Sequence, residues 1–288
     1  MNKIGFIGTG VMGASIVKHL LHAGYEMHVF NRTKSKTDEL VEMGAVWHDT
    51  PAEVTAASEA VFSIVGYPTD VEEIYFGDQG IFLAAHNDQI LIDMTTSTPT
   101  LAKKIFDQGK EKGIAVLDAP VSGGDLGAKK GTLTTMVGGE QDAFDHIKPL
   151  FDVFSSKVNL QGPAGSGQHT KMANQIMIAG TMTGMTELLV YADKAGLNLE
   201  KVLDTVGGGS AQNWSLSNYA PRILKEDYSP GFFVKHFVKD LKIALDEAKK
   251  MGIDLPATAL AEKLYEKLED NGHGNDGTQA LIKLWWND

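Results

Sequence analysis

The residue best placed to move a proton lies in Gly165-Ser-Gly167-Gln-His-Thr-Lys171-Met-Ala-Asn174-Gln175. Lys171 and Asn174 are three residues apart, so on a helix they share one face. Met172, Ala173, Ile176, Met177, Ile178 and Ala179 make the surrounding turns otherwise apolar or neutral. That setting predicts a lysine partly buried at a cleft between domains. Desolvation disfavours the ammonium form, so its pKa should fall from the reference of about 10.4 toward neutrality. Asn174 can hold a substrate hydroxyl or orient the lysine.

A second cluster is Asp118-Ala-Pro-Val-Ser122-Gly123-Gly124, which follows an apolar strand-like run. In open α/β sheets ligands gather beyond the carboxyl ends of strands. Ser122 offers a hydroxyl, and Gly123 and Gly124 can expose successive N–H groups suited to a carboxylate. An ordinary glycine turn fits the same spacing. In Phe237-Val-Lys239-Asp240-Leu241 Lys239 is a second cationic candidate, but the packing face is marked by Leu241, Ala244 and Leu245, so on these residues alone it reads as a helix-surface ion. Trp214 suits either the cap of a pocket or a core. The His19 and His22 pair has no third ligand nearby and is expected on a helix surface. No metal site is expected.

At the N-terminus, Lys3-Ile-Gly-Phe-Ile-Gly8-Thr9-Gly10-Val11-Met12-Gly13-Ala14 has the composition of a strand, a tight turn and a helix start. Gly8, Gly10 and Gly13 fit G-x-G-x-x-G: a turn glycine, a glycine that lets backbone approach a pyrophosphate, and one for close helix–strand packing. Ile16, Val17, Leu20 and Leu21 continue at helical spacing, and Met27-His-Val-Phe30 supplies the second strand of a βαβ unit. The run at 8–13 is therefore read as a dinucleotide turn. After the second strand comes Asn31-Arg32-Thr33, where an NAD-binding chain usually has Asp or Glu for the ribose hydroxyls. Asn31 is neutral, Arg32 can fork onto a 2′-phosphate, and Thr33 and Lys36 can add contacts. NADP(H) is thus favoured, with NAD(H) possible. Arg32 and Thr33 also suit the solvated cap of a following helix.

These residues need a two-domain frame, and 288 residues suit one. Apolar runs at 60–65, 89–93 and 114–117 read as buried strands, with helices at 51–57, 70–76 and 99–112 between them. Strand-like runs at 132–137 and 156–160 bracket a helix near 141–152. The alternation predicts a doubly wound parallel sheet of Rossmann type over 1–161. From 162 to 288 the pattern is helical, roughly 165–195, 199–206, 236–252, 256–270 and 277–286, giving an all-α second domain entered by a long interdomain helix. A net charge of −11 and no Lys/Arg run argue against nucleic-acid or polybasic membrane partners. Without cysteine there are no disulfides or thiolate sites. No stretch reaches membrane-spanning length, and a cytoplasmic protein is expected.

Taken together, GFIGTGVMG at 5–13, Asp93-Met-Thr-Thr96, DAPVSGG at 118–124, GSGQHTKMANQ at 165–175 and Phe237-Val-Lys-Asp240 make the chain resemble the β-hydroxyacid dehydrogenase family over its full length. That family includes 3-hydroxyisobutyrate dehydrogenases and tartronate, glyoxylate and succinic semialdehyde reductases. The resemblance implies Lys171 as the general acid/base, Ser122, Gly123 and Gly124 as the cradle of a small substrate's carboxylate with Asn174 beside it, Val65 and Thr96 along the cofactor, and Lys239 closing over cofactor and substrate. It also implies a homodimer or homotetramer. Val65-Gly-Tyr-Pro68 and Gly207-Gly-Gly209 depart from the better-known subgroups, which leaves the substrate open. Decarboxylating 6-phosphogluconate dehydrogenases share the start but carry a longer helical region, and imine reductases generally replace the lysine. A non-catalytic NADPH-binding assembly module would have little need to retain Lys171.

Overall fold

The computed structural model describes residues 1–286. By internal contacts the chain forms two compact units, Met1–Lys171 and Met172–Asp288. In chain order the first contains β1 (Lys3–Ile7), α1 (Val11–His22), β2 (Glu26–Phe30), α2 (Asp38–Glu42), β3 (Val46–Trp47), α3 (Pro51–Ala56), β4 (Ala60–Ser63), α4 (Pro68–Phe76), α5 (Ile81–Ala84) and β5 (Ile90–Asp93). It continues with α6 (Pro99–Glu111), β6 (Ala115–Asp118), β7 (Val121–Ser122), α7 (Gly124–Lys130), β8 (Leu133–Gly138), α8 (Gln141–Phe151) and β9 (Ser155–Gly162).

Strands β4 and β5 are buried along their whole length, as parallel strands covered on both faces must be. Their side chains alternate between two cores. Ile4, Phe6, Ala60, Phe62, Ile90 and Ile92 join one cluster, while Ile7, Val61 and Leu91 join another on the opposite face. Helices α3 and α6 start where Thr precedes Pro: Thr50 accepts from the Glu53 amide and Thr98 from the Leu101 amide, with Pro51 and Pro99 in the first turn.

The first six strands are parallel in the order β3-β2-β1-β4-β5-β6, the dinucleotide-fold arrangement. Register sets Asp93 of β5 beside Asp118 of β6 at their carboxyl ends. Beyond β6 the sheet departs from a purely parallel one: β7 and β6 both run antiparallel to β8, and β9 then pairs parallel with β8. The return from Ser122 to Leu133 holds only the short α7 and cannot make a parallel crossover, which needs about a dozen residues or more. A 3₁₀ turn at Lys34–Thr37 follows Thr33, whose side chain makes no capping bond.

Helix α9 (Ser166–Lys194) begins in the first unit and continues through the second, which adds α10 (Leu199–Gly207), α11 (Trp214–Asn218), α12 (Ala220–Ile223), α13 (Val234–Lys250) and α14 (Pro256–Leu268). Ala179, Met182, Met185 and Leu189, at three- and four-residue spacing, share one core with Phe237, Leu241, Ala261 and Tyr265. Tyr265 donates its hydroxyl to the Thr278 carbonyl at 2.9 Å. The segment expected as a helix over 277–286 is a 3₁₀ helix, Thr278–Leu284. Trp214 is 58% exposed and edge-on to Tyr219, so it fills no core. No helix among the described residues is long and apolar enough to cross a membrane.

Candidate active site

Each glycine of the N-terminal turn has a different steric reason. Gly8 has φ of 98°, and a Cβ there would run into the Ile64 carbonyl; a Cβ on Gly13 would run into the Gly8 carbonyl. Gly10, the N-cap of α1, has nothing within 4 Å of where its Cβ would stand. The first turn of α1 carries no acidic side chain, and Val11 is exposed on it. Open space at an uncapped helix start without a carboxylate fits a pyrophosphate, and Gly8, Thr9, Gly10, Val11, Met12 and Gly13 are the residues that would hold it. Gly13→Ala is expected to cost ~1–3 kcal/mol of stability through overpacking. Gly10→Ala should leave the melting temperature unchanged and weaken dinucleotide binding by about tenfold or more. Thermal melts and cofactor titrations of both variants check the contrast.

At the end of β2 the Asn31 side-chain Oδ1 accepts from the Thr9 amide at 3.1 Å, and its Nδ2 donates to the Thr33 carbonyl at 2.9 Å. Asn31 therefore braces the glycine turn against the next loop. Arg32 is solvated, its side chain 83% exposed, with Asp70 Oδ1 3.4 Å away. An exposed pair of this kind contributes little and gives way readily to a phosphate. On the neighbouring loops the Val65 amide donates to Thr95 Oγ1 at 2.9 Å, and Thr95 itself donates its amide to Asp93 Oδ1 at 3.1 Å. Ser63 adds a hydroxyl to the same Asp93 oxygen at 2.9 Å. Burial pushes the Asp93 carboxyl up to about 6 against those donors. Thr96 follows directly on this braced segment.

Ser122 ends β7, and Gly123 and Gly124 turn the chain into α7 with φ of 128° and 62°. Neither residue type with a Cβ adopts those angles without strain. The C-terminal carbonyls of α7, at Ala128 and Lys129, accept from His19 Nε2 at 3.0 and 3.1 Å. This corrects the surface reading of His19: it is half-buried and ties α1 to the helix that follows the glycine pair.

Sequence reasoning overlooked Asp118 as a support. Its Oδ1 accepts from the Gly165 amide at 2.7 Å and its Oδ2 from the Gln168 amide at 2.8 Å, so one buried carboxylate satisfies two amides at the start of α9. Burial raises its pKa, opposed by those amide donors. Gln168 is also buried; its Oε1 accepts from the Ser97 amide at 3.0 Å and its Nε2 donates to the Thr95 carbonyl at 2.7 Å. Gly167 has no room for a Cβ between the Met136 and Asp118 carbonyls. The start of α9 is thereby fixed to the carboxyl ends of β5 and β6, and one turn on it carries Lys171, only 7% exposed.

Within the second unit, Asn174 Nδ2 donates to Gln175 Oε1 at 2.8 Å, and Gln175 Nε2 donates to Asp240 Oδ2 at 2.7 Å. Lys239 Nζ lies 3.0 Å from Asp240 Oδ1. Both side chains of that pair are largely withdrawn from water, at 12% and 2% exposure, so the pair is no helix-surface ion. The signal for this was present in Gln175: a long polar side chain among apolar neighbours requires a partner when buried.

Comparison with known proteins identifies the family. Residues 3–162 match the family described as the NAD binding domain of 6-phosphogluconate dehydrogenase, and residues 165–285 match the NAD-binding domain of NADP-dependent 3-hydroxyisobutyrate dehydrogenase. A probable 3-hydroxyisobutyrate dehydrogenase-like 1, mitochondrial, of Arabidopsis thaliana is 49% identical over 97% of this chain and 84% of its own. The 2-hydroxy-3-oxopropionate reductase of Escherichia coli is 37% identical, covering 98% of this chain and 96% of its own. The solved structure of Mycobacterium tuberculosis 3-hydroxyisobutyrate dehydrogenase with L-serine superposes with a TM-score of 0.90 at 27% identity, covering 99% of both chains. The chain belongs to the β-hydroxyacid dehydrogenase family, as an NAD(P)-dependent oxidoreductase of the 3-hydroxyisobutyrate dehydrogenase type.

Proposed function

We propose that this protein is an NADPH-preferring reductase, or in reverse a dehydrogenase, of a small carboxylate bearing an aldehyde or ketone one or two bonds from the acid. The observation that carries the reading is Lys171, buried one turn into a helix whose start Asp118 and Gln168 pin to the sheet's carboxyl end. When bound, the nicotinamide gives hydride to the carbonyl carbon or takes it from the alcohol. Lys171 gives its proton to the carbonyl oxygen as the hydroxyl forms, and takes it back in oxidation. Ser122 with the amides of Gly123 and Gly124 holds the carboxylate. Asn174 stands beside Lys171 on the helix face, and Val65 and Thr96 line the cofactor. Lys239 closes over cofactor and substrate. In this reading residues 1–161 bind the dinucleotide and residues 162–288 serve substrate and assembly.

A homodimer or homotetramer belongs to the same proposal. On α9, Ala173, Met177, Gly180, Gly184, Glu187 and Tyr191 are exposed at alternating four- and three-residue spacing. Met177 and Tyr191 are 66% and 76% exposed, and Gly180 and Gly184 face open space. That is the spacing of a helix seam that a second copy would cover.

The test of the reaction is NADPH and NADH oxidation with glyoxylate, succinic semialdehyde, tartronate semialdehyde, methylmalonate semialdehyde and a cyclic imine. At least one semialdehyde or glyoxylate should be reduced, and the imine should not. Because the cradle recognises a carboxylate, esters and butyraldehyde should be poor substrates. Butyraldehyde reduced as efficiently as succinic semialdehyde would remove the cradle assignment.

A further inference from the structure

We infer that Asp240 is a positioning residue which, acting through Gln175, fixes the Asn174 amide so that its oxygen is kept for the hydroxyl of the substrate. The inference rests on the proposed place of Asn174 beside the reacting carbon. It follows from the direction of each bond. An ionised carboxylate can only accept, so the Gln175 side chain must turn its Nε2 to Asp240 Oδ2, 2.7 Å away. Its Oε1 is then committed to the other side, where it accepts from Asn174 Nδ2 at 2.8 Å. Gln175 is fully buried and Asp240 nearly so, which leaves little freedom to turn the amide over. Asn174 thus spends an N–H on Gln175 and retains Oδ1, an acceptor.

An acceptor suits an alcohol O–H or an ammonium and opposes a carboxylate. The Asn174 oxygen therefore belongs with the hydroxyl and with Lys171, three residues back. The acid group is left to Ser122, Gly123 and Gly124. Asn174→Asp would preserve an acceptor but place a carboxylate against Gln175 Oε1, so the relay requires an amide at 174.

The relay can be rewired without changing its size; Asp240→Asn also takes a negative charge from beside Lys239, and the double variant puts one back at residue 175. In Asp240→Asn the Lys239 ammonium, which can only donate, keeps the oxygen of residue 240 and turns its Nδ2 to Gln175, so the Gln175 and Asn174 amides reverse. In the double variant Gln175→Glu/Asp240→Asn, residue 175 accepts from both neighbours and the Asn174 direction returns. For the reduced semialdehyde, kcat/KM is expected to fall by about 10–100-fold in Asp240→Asn and to recover by about tenfold or more in the double variant. A double variant no better than Asp240→Asn overturns the relay.

A binding measurement reads the same feature without turnover and covers the case of a poorly folding double variant. Titrations with NADP⁺ present compare 4-hydroxybutyrate with butyrate, and 3-hydroxyisobutyrate with isobutyrate. The protein should favour the hydroxyacid of the better pair by about tenfold, the scale of one or two hydrogen bonds, and Asp240→Asn should lose that margin while binding the deoxy acid unchanged. Retention of the margin in Asp240→Asn overturns the relay alone. Weak binding of all four acids by the unmodified protein overturns both the relay and the carboxylate reading beneath it.

Discussion

Lys171→Ala is expected to lower turnover by about 10²–10⁴-fold, the usual contribution of a positioned proton donor. The effect should fall on kcat, because the lysine acts on the carbonyl oxygen as it becomes a hydroxyl and not on the dinucleotide. NADPH affinity should change little: the turn at 8–13 and the loops at 65 and 96 keep their own supports, from Asn31 and from Thr95 and Asp93. Folding should be preserved as well, since Asp118 and Gln168 hold the start of α9 through bonds that the substitution leaves in place. Lys171→Arg should not restore activity, because a guanidinium keeps its proton at any working pH and is broader than the ammonium it replaces. Steady-state rates for the three proteins, with melting temperatures beside them, check the expectation.

Arg32→Asp is expected to reverse the cofactor preference. Arg32 is solvated and pairs with Asp70 at 3.4 Å, so it can swing onto a 2′-phosphate at small cost. Losing a charge-assisted contact costs ~1.5–3 kcal/mol, and a new carboxylate adds repulsion, so NADPH should bind about 10–100-fold more weakly or worse. NADH, lacking the phosphate, should be spared or gain a ribose acceptor. Asn31 is expected to contribute mainly by bracing Thr9 and Thr33. Titration of both cofactors against both proteins reads the outcome, and equal dissociation constants in the unmodified protein would contradict the preference.

The elements that were legible are those whose signal is local. Strands β4 and β5 announced themselves because both faces are buried, leaving unbroken apolar runs, and α3 and α6 because amphipathic stretches alternate with those runs. The two-residue strands β3 and β7 were too short to show a period. The antiparallel turn at β8 depends on how little chain separates it from β7, which a strand pattern does not report.

The candidate site divides the same way. Lys171 stood out because a charge among apolar neighbours is conspicuous, and the structure does bury it. Its supports did not stand out, because their meaning is tertiary. Asp118 acts on amides 47 and 50 residues later in the chain, and Asp240 on a glutamine 65 residues earlier. Lys239 read as a surface ion for the same reason: Gln175 signals that it needs a buried partner, but nothing local to either segment says that the partner is Asp240.

The most direct measurement is a single-turnover experiment with saturating NADPH carrying deuterium at the transferable position of its nicotinamide, mixed with the panel compound reduced best. The account predicts that the unmodified protein delivers deuterium to the former carbonyl carbon in one exponential phase, and that Lys171→Ala, equally loaded with NADPH, does so about 100-fold more slowly or worse. A Lys171→Ala rate within about threefold of the unmodified protein would take the lysine out of the mechanism, and absence of deuterium from the product carbon would contradict hydride transfer itself.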